Sequence, residues 1–486
     1  MFCLYAEDAG IFGRRDIFHD YLKAYDVKDC RRALLELFKT LDTPVSERDE
    51  YLEEDLAQFP YVNGGLFSDE SIEIPPLTEE IKELLLTKAS ENFDWSDISP
   101  TIFGAVFEST LNPETRRAGG MHYTSISNIH KVIDPLFLED LKTEFQEILK
   151  IQVQRTKIKR LDEFQNKIAS LKFLDPACGS GNFLTETYLS LRRLENEVIK
   201  EKVGGQMTLV EVNNPIRVSI QQFYGIEIND FAVTVAKTAL WIAESQMLEE
   251  TKNIVYGFND DFLPLKTYVN ITEGNALRID WNDVIPAEKL SFIMGNPPFV
   301  GARWMASEQK EDVEKIFEGW KSIGNLDYVS CWYKKAADYM GNYNIRAALV
   351  STNSITQGES VSILWKPLFE SGVHIDFAYR TFIWDSEASI KAHVHCVIVG
   401  FSRAVNNKQK IIYSGENAIP ANNINGYLLD AENIFIEKRM KPLCNVPEIA
   451  LGGQAIDGGF LILTEEEKEE FLECLLYTSP SPRDGL

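Results

Sequence analysis

The sequence predicts an α/β fold with a mostly parallel sheet, preceded by a helical N-terminal region. Three observations support this. From Leu171 onward, short apolar segments alternate with helical patterns, as in successive strand–helix units. The first of these segments, Phe173-Leu174, runs into Asp175-Pro176-Ala177-Cys178-Gly179-Ser180-Gly181-Asn182 and then a renewed apolar run, which reads as strand, tight turn and helix. Ahead of Leu171, apolar residues instead recur at three-to-four spacing, as on one face of a helix.

Length and composition bound the answer. A chain of 486 residues is too long for one ordinary core and implies two or three domains. Hydrophobic residues make up 44% and charged residues 25%, as in a water-soluble globular protein. No uncharged apolar run is long enough to span a bilayer, and Met1 opens no signal peptide, so no membrane association and a cytoplasmic location are expected. Seven cysteines are scattered without a CxxC pair, which fits reduced thiols and argues against a zinc knuckle or a disulfide framework. The net charge of −25 is unfavourable for a nucleic-acid partner, although acidic helices can lie far from a basic cleft.

Helical elements come first. Asp29–Leu41 and Thr78–Lys88 have helical apolar spacing, separated by the turn-rich Phe59-Pro60-Tyr61-Val62-Asn63-Gly64-Gly65-Leu66-Phe67. Residues 2–12 begin an apolar pattern with no N-cap before it, as if the chain started inside a helix of a longer protein. Arg116–Ser125 leads into a helix from Ile126, with Ser125 or Ser127 as its cap. Leu138–Ile168 reads as helical with a solvated, charged face. Strands are then expected at Lys172–Leu174, Gln222–Ile226, Ile271–Glu273, Phe292–Met294, Ala347–Ser351, His374–Tyr379 and His395–Gly400. Helices are expected at Asn182–Lys200, Asp230–Met247, Ser330–Met340 and Val361–Glu370. The acidic helix Glu465–Leu476 runs into Tyr477–Leu486, which resembles translated sequencing-adapter read-through and is set aside from fold reasoning.

On its own the glycine turn is either a plain connection or a ligand loop. Its glycines permit positive φ and close backbone approach, and the next helix offers unpaired N–H groups. Downstream, Phe223-Tyr224-Gly225-Ile226 ends in Glu227, the position of a ribose-binding acid in nucleotide-type α/β sites. A third strand ends Glu273-Gly274-Asn275-Ala276, where Asn275 could accept from and donate to an adenine edge. A fourth ends Asn296-Pro297-Pro298-Phe299. The two prolines lock φ and supply no N–H, so the Asn296 side-chain oxygen and the Pro297 carbonyl can both accept from one planar amino group. The Phe299 ring can stack on a base. His122, His374, His393 and His395 lack metal-ligand spacing and no metal is expected. Arg303, Trp304, Lys310 and Trp320 follow this loop and read either as phosphate or displaced-strand contacts or as a solvated helix, and Lys321–Asp327 as a mobile loop near the target base.

These motifs, in this order, resemble the amino-methylating DNA methyltransferases, most closely the adenine-specific γ class. The resemblance implies a Rossmann-like class I S-adenosylmethionine-dependent methyltransferase sheet with an N-terminal helical domain. It implies S-adenosyl-L-methionine as cofactor, held by Asp175, Pro176, Ala177, Cys178, Gly179, Gly181, Asn182, Glu227, Ile228, Asn275 and Ala276. Gly119-Gly120-Met121-His122-Tyr123-Thr124-Ser125 resembles the motif that closes over the cofactor's methionine end, through Tyr123 and Thr124, with Ser125 where a proline is usual. Asn296, Pro297, Pro298 and Phe299 are the implied catalytic residues, acting on an adenine flipped out of double-stranded DNA. Residues 2–12, Phe382–Ala388 and Val394–Phe401 resemble the MmeI type of single-chain restriction–modification enzyme. In that type a nuclease precedes the helical connector and a target-recognition domain follows the methyltransferase; both are expected to be missing or separate here.

The expected division is a helical connector over 1–115, the lid motif and helices over 116–170 and a methyltransferase domain over 171–405. The start of a C-terminal recognition region follows over 406–473, then a non-native tail over 474–486. Other readings keep the fold but change the acceptor, to RNA amino groups or protein glutamine, or make the chain a non-catalytic DNA-binding remnant. A nicotinamide-dependent dehydrogenase would need a third glycine, which Gly179-Ser180-Gly181-Asn182-Phe183-Leu184 lacks.

Overall fold

The computed structural model describes residues 2–62, 65–68, 73–101, 124–203, 215–255, 258, 262–263, 265, 270–383, 394–404, 408–437, 439, 444–446 and 463–475. Tyr123, His122, His393, residues 384–388 and the tail beyond 475 lie outside them. The chain divides into a unit over Met1–Ile436 and a second over Glu437–Leu486. In the second unit, Thr464 and Glu467 cap the helix Glu465–Leu475 reciprocally, Thr464 N–H donating to Glu467 (2.8 Å) and Glu467 N–H to Thr464 Oγ1 (3.3 Å).

In the first unit the strands are β1 (Phe173–Asp175), β2 (Phe223–Glu227), β3 (Ile271–Glu273), β4 (Phe292–Gly295), β5 (Arg346–Thr352), β6 (His374–Ile383), β7 (His395–Ser402), β8 (Lys410–Ser414) and β9 (Asn417–Ala421). They form one sheet in the order β3-β2-β1-β4-β5-β7-β6-β8-β9. β1 to β5 run parallel, β7 inserts antiparallel between β5 and β6, and β8 pairs parallel with β6 and antiparallel with β9. This is the α/β sheet expected of a class I methyltransferase, with β8 and β9 as an extension that the sequence reading did not anticipate.

Alternation along each strand builds two cores, one per face. Phe173, Phe223, Met294, Ala348, Val350 and Ile398 face one side, while Leu174, Ile226, Ile293, Ala347, Leu349, Val397 and Val399 face the other. The first core continues without a break into the N-terminal helices through Phe2, Phe12, Leu37 and Phe59. Backbone bonds reinforce it, Val62 N–H donating to the Leu41 carbonyl and Leu265 N–H to the Val62 carbonyl.

Helical expectations hold with local differences. Asp29–Leu41 becomes Val27–Asp42, and Thr78 caps Glu79–Glu83, which widens into a π-turn segment over Leu84–Glu91. The stretch from Leu138 to Ile168 is two helices, Glu139–Leu149 and Gln154–Ser170, parted by an irregular link with β-branched Ile151 and Val153. Ser125 stands at the N-cap of Ile126–Ile133, but its hydroxyl meets Ser127 Oγ instead of a backbone N–H.

His130 ties that helix down. Its Nδ1 lies 2.9 Å from Asp134 Oδ1 and its Nε2 3.2 Å from Glu186 Oε1, on the helix Asn182–Val203 that follows the glycine turn. The hydrogen bonds to Asp134 and Glu186 raise its pKa from 6.5 to about 9. A folded-state pKa above the unfolded one contributes stability that is full below pH 6.5 and lost as pH rises through about 9. The melting-temperature gap between the wild type and His130→Gln should therefore be widest near pH 6 and close by about pH 10. A gap unchanged across that range in thermal melts would show that the imidazole is not held as a cation.

Candidate active site

The chain leaves β1 toward β2 and β3 on one side and returns to β4 and β5 on the other. The resulting switch point, at the carboxyl ends of β1 and β4, is where such sheets bind ligands. It sets the glycine turn after β1 beside Asn296-Pro297-Pro298-Phe299 after β4, at a cavity of about 760 Å³.

Backbone geometry shapes the turn. Gly179 (φ +53°) and Gly181 (φ +83°) take conformations that other residues rarely adopt. Ala177 N–H donates to Asp175 Oδ1 (3.0 Å), Cys178 N–H extends the β1–β2 pairing to the Ile226 carbonyl (3.1 Å), and Gly181 N–H closes on the Cys178 carbonyl (2.8 Å). A Cβ on Gly181 would lie 2.8 Å from Ala236 Cβ, so this glycine lets two helices approach; it does not line the cavity. Cys178 fills the space above Gly225, where an added Cβ would lie 2.7 Å from its sulfur, and burial pushes its thiol well above the usual range.

Two buried carboxylates face this turn. Glu227 accepts from Gly179 N–H (2.8 Å) and Asn229 N–H (3.0 Å), and its pKa is raised by burial. Asp175, 1% exposed, is pushed up to about 8 by burial, to which the Glu227 charge adds. Gly295 makes room for it, since a Cβ there would meet Asp175 Oδ1 at 2.4 Å. Asn296 comes next. Its Nδ2 donates to Thr124 Oγ1 (3.2 Å), while Oδ1 is buried with no partner among the described residues.

Of the residues singled out from sequence, the cavity brings together Thr124, Asp175, Pro176, Ala177, Cys178, Gly179, Asn182, Glu227, Ile228, Asn275, Ala276, Asn296, Pro298 and Phe299. Pro297 is not in its lining. Asn275 is differently engaged from the adenine contact expected: its oxygen accepts from Leu277 N–H (2.8 Å) and its amide donates to Asp312 (3.0 Å). Asp312, buried on the helix Ser307–Ile316, also accepts from Arg278 Nε (2.7 Å) and the Tyr328 hydroxyl (2.9 Å). The sequence reading missed Asp312, Arg278 and Tyr328, because Asp312 lies in the charged run Glu308-Gln309-Lys310-Glu311-Asp312 with no local signal. Trp304 lines the cavity and is 86% exposed. Arg303 and Lys310 are exposed, and Trp320 is half-buried with Lys334 over its ring.

Asp327, at the end of the Lys321–Asp327 stretch, anchors the loop that follows β4. It is buried, and accepts from Val300 N–H (3.1 Å), Val329 N–H (3.2 Å), Thr352 Oγ1 (3.1 Å) and Ser354 Oγ (3.4 Å). Tyr328 N–H donates to the Val300 carbonyl (3.0 Å), so both backbone groups of the residue after Phe299 are held.

The MmeI DNA-methyltransferase domain family matches residues 151–414. The chain belongs to the MmeI family. Residues 1–67 match the MmeI helicase spacer domain and 430–475 the MmeI target recognition domain. DNA methyltransferase A of Bacillus subtilis (strain 168) is 41% identical over 472 residues, covering 96% of this chain and 52% of that protein. The structure of the Type IIL restriction–modification enzyme MmeI in complex with DNA is 42% identical with a TM-score of 0.90, covering 97% of this chain and 63% of that one. Adenine-specific methyltransferase PglX of Streptomyces coelicolor (strain ATCC BAA-471 / A3(2) / M145) is 34% identical over 73 residues, 15% of this chain and 5% of that protein. The chain thus spans about half the length of the Bacillus relative and less than two thirds of MmeI.

The Asp327 anchor yields a measurable expectation. Asp327→Ala leaves the Val300 and Val329 N–H groups without their acceptor, and should cost about 2–3 kcal/mol in chemical denaturation. A loss below about 0.5 kcal/mol, the level of an ordinary surface substitution, would show that the loop does not depend on this carboxylate.

Proposed function

We propose that this chain transfers a methyl group from S-adenosyl-L-methionine to the exocyclic amino group of adenine in double-stranded DNA, within a restriction–modification system. One observation carries the reading: Asn296 Oδ1 is a buried acceptor without a partner among the described residues, in the wall of a cavity that the glycine turn and Glu227 also line. An unmet buried acceptor costs about 1–3 kcal/mol, and a planar amino group would satisfy it.

The residues present fit the cofactor. The cavity's volume of about 760 Å³ is within the usual range for ligand pockets. Asn182 Oδ1 is a second buried acceptor without a partner among the described residues, at the start of the helix after the glycine turn. Glu227 would take the ribose hydroxyls, Ile228 would cover the adenine ring, and Asp175, Gly179 and Asn182 would surround the rest, with Tyr123 as a further proposed contact. When bound, S-adenosylmethionine supplies an electrophilic methyl group on a cationic sulfur.

The chain's own part is positioning and electrostatics. Asn296 Oδ1 accepts from the amino group and raises electron density on its nitrogen, and the Pro297 carbonyl, which is outside the lining here, is the proposed second acceptor. Phe299 stacks on the base, which must leave the duplex to reach the cavity. DNA as substrate is supported by the names of DNA methyltransferase A and of the MmeI–DNA complex. Adenine is supported by the PglX relative and by Asn in place of Ser ahead of the two prolines.

Asn296→Ala should abolish methyl transfer to unmethylated plasmid DNA while binding of S-adenosylhomocysteine, followed by calorimetry, persists. Methylated DNA produced by that variant would reject the assignment, and N4-methylcytosine in place of N6-methyladenine in digested product would reject adenine as the acceptor.

The buried acids add a pH expectation. With its pKa at about 8, Asp175 is mostly neutral at pH 7, and a cation bound beside it favours the carboxylate. S-Adenosylmethionine binding should therefore release protons below about pH 8 and tighten as pH rises, an effect weaker for uncharged-sulfur S-adenosylhomocysteine and lost in Asp175→Asn. Calorimetry in buffers of different ionisation enthalpy measures it; proton uptake, or none, would contradict it.

A further inference from the structure

We infer that Thr124 is a positioning residue that holds the Asn296 amide at the cavity wall, with its oxygen placed to accept from the incoming amino group. This rests on the reading of Asn296 given above. A threonine hydroxyl both donates and accepts, so it can hold either end of the amide, and the group on the cavity side selects which end faces it. Here the amide has one partner among the described residues, the Thr124 hydroxyl, which accepts from Nδ2 at 3.2 Å. Oδ1 is thereby left as the buried, unpartnered end. In the opposite orientation Nδ2 would take that place, and two amino groups, each a donor, would confront one another without a bond.

The hydroxyl is itself fixed. Thr124 is 4% exposed and lies two residues ahead of the helix Ile126–Ile133, which His130 fastens through Glu186 to the helix after the glycine turn. A threonine so close to the cavity would ordinarily be assigned to the cofactor. Its bond to Asn296 assigns it instead to the acceptor side, and the two roles affect different constants.

The test compares Thr124→Val, which keeps the shape and removes the hydroxyl, with Thr124→Ser, which keeps the hydroxyl. Each is measured in the intact protein by single-turnover methyl transfer at saturating cofactor and by calorimetric affinity for S-adenosylhomocysteine. Thr124→Val should slow transfer by about tenfold or more, the value of one neutral hydrogen bond expressed in the rate, with product affinity unchanged. Thr124→Ser should recover the wild-type rate. A wild-type rate in Thr124→Val overturns the inference. Weakened product affinity with a normal saturated rate overturns it in favour of a cofactor contact, and a Thr124→Ser as slow as the valine variant overturns it in favour of shape. Absence of transfer by the wild type would instead count against the reading of Asn296, which separates the two failures.

Discussion

A ladder of three phenylalanines sets the heights on which the site depends. Phe173 on β1 is in register with Phe223 on β2 and with Phe292 on β4. The rings stack at 5.2 and 5.5 Å with interplanar angles of 9° and 19°, and Phe137 closes over two of them. Aromatic cross-strand pairs favour one register, and a slip by one residue would turn every side chain of a strand to the opposite core. Counting from the ladder, Asp175 lies two residues on and Glu227 and Asn296 four, all at the carboxyl ends of their strands, so the stack brings three loops out at one end of the sheet. Glycines then let the loops converge. Gly225 admits Cys178, and Gly295 admits the Asp175 carboxyl.

That convergence concentrates acids where water is scarce. Glu227 is met by two backbone N–H groups, whereas Asp175 receives one and is more deeply buried. The same burial therefore shifts Asp175 far, to about 8, with Glu227 adding to the shift. Buried carboxylates with so few donors favour a cationic guest. The chain's net charge of −25 says little about this local field, which two side chains and a handful of N–H dipoles dominate.

Much of this was legible in the sequence, for a physical reason. Parallel strands covered on both faces are nearly uninterrupted apolar runs, so β1, β2, β4 and β5 stand out, and the charged, glycine- or proline-bearing residues at their ends mark the site. What was not legible depends on distant partners. β6 runs on to Ile383, its pairing with β7 resuming at Phe382 after an irregularity that follows Tyr379. β8 and β9 are short, and Pro420 in β9 argues against a strand anywhere but at an edge, which is where β9 lies. Asn275 looks from sequence like a free amide, yet Asp312, thirty-seven residues later, takes its donor. No pattern in the helix Ser307–Ile316 distinguishes Asp312 from its charged neighbours, because its burial comes from Arg278 and Tyr328 on other segments.

The choice of asparagine at 296 follows from the same surroundings. A third carboxylate at this position would join Asp175 and Glu227 in a cavity that already disfavours their charges. A serine would have to serve both tasks through one oxygen, donating to Thr124 while accepting from the amino group. An amide divides them between two atoms held in one rigid plane, with Nδ2 committed to Thr124 and Oδ1 kept free. Asp327 and Tyr328 hold the loop just beyond Phe299 through both backbone groups of Val300, while the β1–β4 register fixes where the loop begins. The acceptor is thus defined at each end of a short, proline-stiffened segment, and little reorganisation is left for the moment when an amino group arrives.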